Sequence, residues 1–147
     1  MTVSNRIFKG WLIISALLFS VLSLRAEEST NSVLNRLSKV QEFAFGGIGY
    51  AGATSDGEKD YCEILQRSSA LKDFEQLLKT GNPQAQCYAL TGIHALNPKG
   101  FGKISAPYLK NQTSVSTMEG CCIGKEPMAT IVKRIKDGFY KPHSKRL

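Results

Sequence analysis

Residues 82–98 read NPQAQCYALTGIHALNP, and they predict the central helix of the protein. Asn82 is a favoured N-cap residue, and Pro83 suits the first helical position because that position needs no N–H donor. The apolar residues of the stretch fall on more than one face, which is typical of a helix that is buried on several sides. Asn97 and Pro98 end it. We therefore expect a buried helix around which the rest of the chain packs.

Helical periodicity continues on both sides of this stretch. Ser55 and Glu58 form a capping box, in which the two side chains satisfy backbone N–H groups reciprocally. Gly81 and Gly138 suit the position just after a helix. The short loops favour antiparallel helix pairs. The apolar spacing predicts four further helices, at residues 31–45, 56–67, 70–79 and 127–137.

Residues 99–126 interrupt the helical pattern. Gly100, Gly102 and Pro107 are expected to break any long element, and residues 114–118 read as a short strand or an extended segment. The expected fold class is therefore mainly α: a single domain of antiparallel helix hairpins, with a possible short strand near residues 114–118.

The central stretch resembles the inner helix of a HEAT-like repeat, and the segment AQCYALTGI at residues 85–93 carries the resemblance. The resemblance covers about residues 56–110. The chain is also similar to small exported bacterial proteins that combine a glycine-rich start with this Tyr-Ala-Leu helix. A HEAT-like fold implies an interaction surface rather than a reaction.

Residues 1–26 read as a secretory signal peptide. Arg6 and Lys9 precede an apolar run at residues 11–24, and Ala26 is a small residue that suits the position before cleavage. At about 1.5 Å per residue the run spans roughly 21 Å, short of the roughly 30 Å hydrocarbon core of a bilayer. We expect cleavage near Ala26 and a periplasmic or secreted protein. An uncleaved N-terminal anchor is the alternative.

We expect residues 27–147 to form a single domain, and the whole chain has an ordinary globular composition. The chain of 147 residues is 42% hydrophobic and 21% charged, which suits one domain and excludes a polytopic membrane protein. Its net charge is +7. Without Arg6, Lys9 and Arg25, 16 basic and 12 acidic residues remain, which gives +4. No nucleic-acid partner is predicted, because an exported protein rarely meets one.

The C-terminal end combines a cationic helix with a basic tail at about residues 139–147. Lys133 and Lys136 lie on the polar side of the helix, and Lys141 adds charge beyond it. Such a unit can bind an anionic membrane surface or an acidic partner. The apolar side of the helix fits docking onto the protein's own core equally well, so both interpretations stay open.

Gly47, Gly49 and Gly52 match the pattern G-x-G-x-x-G, which in dinucleotide-binding proteins lets the backbone approach a pyrophosphate. That site needs a strand before the motif and a helix that opens inside it. Here a helical pattern precedes the motif, and the next helix begins only after Ser55. The lysine of a phosphate-binding loop is also missing. We therefore predict a turned or flexible connector, no nucleotide, and a candidate binding loop at these glycines.

The cysteines are the other candidates for chemistry. Disulfides are the default in an oxidising compartment, and adjacent cysteines seldom bond to each other. This reasoning pairs each of the two isolated cysteines with one of the adjacent pair. A metal site at the adjacent pair with His94 or His143, or a catalytic thiol there with His94, are the alternatives. The four residues are Cys62, Cys87, Cys121 and Cys122.

These observations favour an exported, non-enzymatic interaction module without a cofactor or metal ion. Its binding surface is expected at the glycine-rich loop, at the turn of residues 121–124 or at the basic tail. The partner is a protein that the sequence does not identify, or an anionic surface. The alternative is a small thiol- or metal-dependent enzyme that uses Cys121, Cys122 and His94. Asn111 begins an N-glycosylation sequon, which matters only in a host that glycosylates such sites.

Overall fold

The computed structural model describes residues 31–142. The chain divides into two compact units at the boundary between Ser32 and Val33, so nearly all described residues belong to the second unit. The signal peptide expected at residues 1–26 and the end of the basic tail, residues 143–147, lie outside the described residues. Within the described part, no helix is both long and apolar enough to span a membrane.

The described chain is mainly helical, and this confirms the expected class. It also contains two small antiparallel strand pairs, β1 with β2 and β3 with β4. The HEAT-like arrangement stays a prediction. In chain order the elements are α1 (31–38), β1 (Gly47–Ile48), β2 (Ala53–Thr54), α2 (Asp56–Leu65), α3 (Ala70–Thr80), α4 (Pro83–Leu96), α5 (Pro98–Ser105), a 3-10 helix (Ala106–Lys110), β3 (Ser114–Glu119), β4 (Cys122–Pro127) and α6 (Met128–Lys136).

Helix α4 lies at the centre of the core, as predicted. The Asn82 side chain accepts a hydrogen bond from the Ala85 N–H group at 2.9 Å, and Pro83 follows the cap. Every residue from Cys87 to Ile93 is buried. The helix packs against α2, α3, α5, α6 and β3, so its many apolar faces all find partners.

Helices α2 and α3 begin where the sequence places them. The Ser55 side chain accepts a hydrogen bond from the Glu58 N–H group at 3.0 Å, which confirms the predicted cap. Helix α2 ends at Leu65 rather than Arg67, and α3 ends within one residue of the prediction. Glu58 is fully buried, and its carboxylate accepts a bond from the Gly46 N–H group at 2.9 Å. Glu58 therefore also connects α2 to the loop before it.

The first helix is shorter than predicted, because it ends at residue 38 and not at residue 45. Beyond it, Phe43 and Phe45 pack into the core. The buried Tyr88 hydroxyl donates to the Ala44 carbonyl at 2.8 Å and accepts from the Ala44 N–H group at 3.0 Å. The Phe43 backbone also bonds to two residues of β3. These long-range bonds replace helical ones, and helical periodicity does not reveal them.

The segment after α4 is more regular than its glycines suggest. Helix α5 forms because the Asn97 side chain accepts from the Gly100 N–H group at 3.0 Å and because Phe101 is buried. Gly100 and Gly102 both lie in this helix, which has only eight residues, so the expectation that they break any long element is not contradicted. The strand expected near residues 114–118 is confirmed as β3. Its partner β4 is exposed almost throughout, so its sequence lacks the alternation that would predict a strand.

Candidate functional site

The turn between β3 and β4 is a two-residue hairpin loop of Gly120 and Cys121, across which Glu119 pairs with Cys122. Gly120 has a φ of 56°. Every residue of the described part with a positive φ is a glycine, so the second loop residue, Cys121, does not have one. A positive φ at the first loop position alone is typical of a type II′ turn, which favours glycine there. The turn therefore places both adjacent cysteines at the end of the hairpin.

The glycine-rich loop forms a second hairpin turn beside the first. Gly47 lies in β1, and Gly49 and Gly52 have the positive φ values of the turn that leads to β2. The Gly49 N–H group donates to the Gly120 carbonyl at 2.9 Å, and Ile48 forms a β-bridge with Gly120. The G-x-G-x-x-G motif thus lies on a hairpin and not at a junction between a strand and a helix.

The two turns form one surface, which we call the double-turn surface and define as residues 49–52 and 120–123. Tyr50 is fully exposed there, and Ile123 is 70% exposed. Cys121 and Cys122 are exposed as well. Uncovered large side chains that cluster on a surface are typical of binding sites. The sequence predicts the glycine loop and the 121–124 turn as separate candidates, and the structure brings them together.

The cysteines form a buried pair and an exposed pair. Cys62 and Cys87 lie in the core, where burial raises the pKa of both thiols and that of Cys87 to about 12. Cys121 and Cys122 lie on the double-turn surface. All four are free thiols in this structure. The bridges expected between the two pairs are not formed in it, and the pairing stays a prediction.

His94 contacts a different part of the molecule. Its ring packs edge-on against Phe101 of α5, with 4.7 Å between the ring centres. No contact within the described residues joins it to Cys121 or Cys122. Across residues 31–142, no group of three or more His, Cys, Asp and Glu side chains could hold a metal ion. His143, the other suggested ligand, lies outside the described residues.

A pocket lies where the chain leaves α6. The Gly138 N–H group donates to the Ile135 carbonyl at 2.9 Å, and the Phe139 N–H group donates to the Arg134 carbonyl at 3.0 Å. With a φ of 71° at Gly138, these bonds form a Schellman motif that turns the chain back. Residues 139–141 thereby form one wall of a cavity of about 80 Å³, which we call the tail pocket. Its lining residues are Phe43, Phe45, Thr117, Met118, Glu119, Glu126, Arg134, Phe139, Tyr140 and Lys141.

Arg134 is held firmly in the tail pocket. Its guanidinium donates to the Glu126 carboxylate at 3.0 Å and lies 5.7 Å from the centre of the Phe139 ring. A hydrogen bond with the Tyr140 hydroxyl raises the pKa of Arg134 above its ordinary value. Burial raises the pKa of Tyr140, whose ring packs edge-on against Phe43 at 4.8 Å. Arg134 is therefore already paired. The other charged residues that line the pocket, Glu119 and Lys141, are the ones that a ligand can bind.

The predicted cationic residues separate in the structure. Lys133 and Lys136 are exposed on α6, whereas Lys141 lines the tail pocket. Met128 and Ile135 on the other side of α6 are buried, which confirms that this side docks onto the core. The helix therefore offers only its lysines, and not an apolar face, to an external surface.

The sequence does not predict a role for Tyr50, Ile123, Glu119 or Tyr140. A single aromatic residue between glycines is the available signal for Tyr50, whereas the others depend on strand pairing and on the path of the tail. Comparisons of the chain with protein-family models, curated proteins and solved structures give no match.

Proposed function

We propose that this protein is an exported, non-enzymatic binding module that holds a protein partner at the double-turn surface. One observation carries the proposal. The hydrogen bond from the Gly49 N–H group to the Gly120 carbonyl joins two turns that expose Tyr50 and Ile123. Tyrosine is enriched among the residues that contribute most to protein interfaces, because it adds a large contact area at a small entropy cost.

The double-turn surface is supported from behind. Strand β3 pairs with all six residues of β4, and Phe43 forms a β-bridge on the other side of β3. The second turn attaches to this sheet through the bridge between Ile48 and Gly120. A surface that is already ordered loses less entropy when it binds a partner. This support favours the recognition of a defined shape.

The composition of the double-turn surface indicates the kind of partner. Its eight residues include no Lys, Arg, Asp, Glu or His. Apolar contact and backbone hydrogen bonds, rather than charge, would therefore dominate binding there. An anionic membrane or a nucleic acid would instead contact lysines, and Lys133 and Lys136 are exposed on α6. The surface thus suits an uncharged patch on another protein.

Export is the part of the proposal that the N-terminal sequence supports. The measurement is the intact mass of the natively produced protein, with free thiols alkylated before and after reduction. We expect a chain that begins near Glu27. A mass that retains residues 1–26 would contradict cleavage and favour the anchored alternative. The alkylation pattern reports in the same measurement whether Cys121 and Cys122 remain thiols.

Site-specific photo-crosslinking in the native host tests the binding surface. A photoreactive residue replaces Tyr50 in one variant, Ile123 in a second and Lys72 in a control. Lys72 is exposed on α3 and lies outside the double-turn surface. We expect a crosslinked species of the same mass from the first two variants and none from the control. Equal crosslinking at all three positions, or none at Tyr50 and Ile123, would contradict the proposal.

A further inference from the structure

The tail pocket is a concave site that the double-turn proposal does not use. Phe43, Phe45 and Tyr140 contact one another through their rings, at centre distances of 5.4, 4.8 and 5.9 Å. The end of β3, from Thr117 to Glu119, lines the same pocket. An apolar group can therefore lie against aromatic rings while a polar end of the same molecule reaches the charged residues.

The charges of the tail pocket divide into a satisfied pair and an open pair. Arg134 and Glu126 bond to each other at 3.0 Å. Glu119 and Lys141 are both exposed at the pocket, and within residues 31–142 neither takes part in an ion pair. The pocket thus presents one carboxylate and one ammonium group that are available to a ligand. A ligand that carries both signs of charge matches this arrangement better than a simple anion or cation.

The size of the pocket limits the ligand. Its volume of about 80 Å³ gives room for about five water molecules, at roughly 15 Å³ for each. Sites for drug-sized ligands and cofactors are several times larger, at about 300–1,000 Å³. A nucleotide is therefore too large to enter. The apolar side chain of an amino acid can enter the pocket, and the charged groups of the same molecule then lie at its open rim, where Glu119 and Lys141 are exposed.

We propose that the tail pocket binds a free α-amino acid with an apolar side chain. Its ammonium group bonds to Glu119, its carboxylate bonds to Lys141, and its side chain lies on the aromatic rings of Phe43, Phe45 and Tyr140. This site is separate from the double-turn surface, so the two proposals can fail independently.

Titration of the purified protein, followed by amide chemical shifts in NMR spectra, tests the proposal. Phenylalanine is the probe, and each of three related compounds lacks one feature of it. Glycine lacks the apolar group, 3-phenylpropionate lacks the ammonium group, and phenylalaninamide lacks the carboxylate. We expect saturable phenylalanine binding with a Kd on the order of 0.1–1 mM, and binding at least about tenfold weaker for each related compound.

Two neutral variants connect each charge to its partner on the ligand. Glu119→Gln should weaken phenylalanine binding about tenfold and leave 3-phenylpropionate unchanged, because that compound has no ammonium group. Lys141→Gln should weaken phenylalanine binding similarly and leave phenylalaninamide unchanged. Glu75→Gln and Lys72→Gln, at exposed positions of α3, are the matched controls and should bind like the wild type.

Three outcomes would overturn the proposal. The first is the absence of saturable phenylalanine binding up to about 10 mM. The second is equal affinity for phenylalanine and for 3-phenylpropionate or phenylalaninamide. This would show that the site does not recognise the ammonium and the carboxylate groups of the ligand together. The third is equal weakening by the α3 control variants, which would indicate a general effect of net charge.

Discussion

Helix α4 and the double-turn surface contain the same residue types in opposite environments. Tyr88, Cys87 and Ile93 are buried in α4, whereas a tyrosine, two cysteines and an isoleucine are exposed on the two turns. The chemistry of each side chain is therefore set by its neighbours and not by its type. The comparison also supplies matched pairs, in which one substitution made in both regions separates a structural role from a surface role.

The two cysteine pairs should show the largest difference. In folded protein at about pH 8, we expect Cys121 and Cys122 to react with a thiol-alkylating reagent at least about 10³-fold faster than Cys87. Cys87 is fully buried, and burial raises its pKa to about 12, so its thiolate is both scarce and inaccessible. Timed alkylation followed by peptide mass spectrometry measures the two rates.

A double variant provides the control for this measurement. Cys121→Ser together with Cys122→Ser should remove the fast reaction and leave the thermal midpoint unchanged, because both side chains are exposed. Alkylation of Cys87 at the rate of the exposed pair would show that the α4 region opens readily. That result would contradict the burial of Cys87 in a closed core.

The two isoleucines test packing in the same way. Ile93→Ala should lower the free energy of unfolding by about 2–5 kcal/mol, because it leaves a cavity in a fully buried site. Ile123→Ala at the exposed position should change it by less than about 0.5 kcal/mol. Urea unfolding of both variants gives the two values. A large loss at Ile123 would show that this side chain supports the hairpin rather than a partner.

The two tyrosines test the hydrogen bonds that hold the segment after α1 against α4. Tyr88→Phe should lower the free energy of unfolding by about 2 kcal/mol, because it leaves the buried N–H group of Ala44 without an acceptor. The Ala44 carbonyl loses one of two donors, since the Ser55 hydroxyl still donates to it at 3.0 Å. Tyr50→Phe should have no measurable effect on stability, since Tyr50 is fully exposed. Equal effects of the two substitutions in urea unfolding would contradict this role for Tyr88.

These buried partners also show how far the sequence predicts the fold. The start of α4 is predicted by Asn82 and Pro83, and that of α2 by Ser55, because caps are local and short-range chemistry decides them. The end of α1 is not predicted, since the carbonyl of its last residue, Ser38, accepts from the N–H group of Asn82, 44 residues along the chain, at 3.0 Å. Local sequence therefore predicts where these helices begin, whereas tertiary contacts decide where the first one ends.

The candidate site is predicted only in part for the same reason. The Gly47–Gly52 loop and the Cys121 turn are visible in the sequence as glycine-rich or cysteine-rich stretches. Their contact depends on the backbone pairing of Ile48 and Gly49 with Gly120, which joins segments far apart in the chain. The tail pocket likewise depends on the path of the chain after Gly138. Neither arrangement follows from apolar periodicity.

The role of Tyr88 also predicts a pH dependence. Burial raises the pKa of Tyr88 from 10.0 to about 12, so the folded protein keeps this proton to higher pH than the unfolded chain does. The stabilisation is therefore complete below pH 10 and is lost as the pH rises towards 12. The wild type should lose about 1.4 kcal/mol through this group by pH 11, a loss that Tyr88→Phe cannot show.

Urea unfolding at pH 8 and at pH 11 measures this loss. The stability difference between the wild type and Tyr88→Phe should narrow by about 1.4 kcal/mol at the higher pH. Other groups that titrate in this range, including Cys87, are present in both proteins and cancel in the difference. A stability difference between the wild type and Tyr88→Phe that stays constant between the two pH values would contradict this prediction. It would show that folding does not protect the Tyr88 hydroxyl from ionisation.

The smallest expected change in stability is at Gly138, and this substitution tests whether the tail pocket is independent of the rest of the fold. Gly138→Ala should cost about 1 kcal/mol, because a side chain at a φ of 71° is strained. Gly102→Ala is the matched control, since its new methyl group meets no atom within 4 Å inside an exposed part of α5, and it should stabilise the protein by about 0.5–1 kcal/mol.

The readouts of Gly138→Ala should differ between the two proposed sites. The Schellman turn places residues 139–141 in the pocket wall, so distortion of this turn should weaken phenylalanine binding more than the stability loss alone explains. Crosslinking from Tyr50 should be unchanged, because the double-turn surface does not include the tail. Loss of both phenylalanine binding and crosslinking from Tyr50 would mean that the tail supports the two sites as one unit. The two sites would then not be independent.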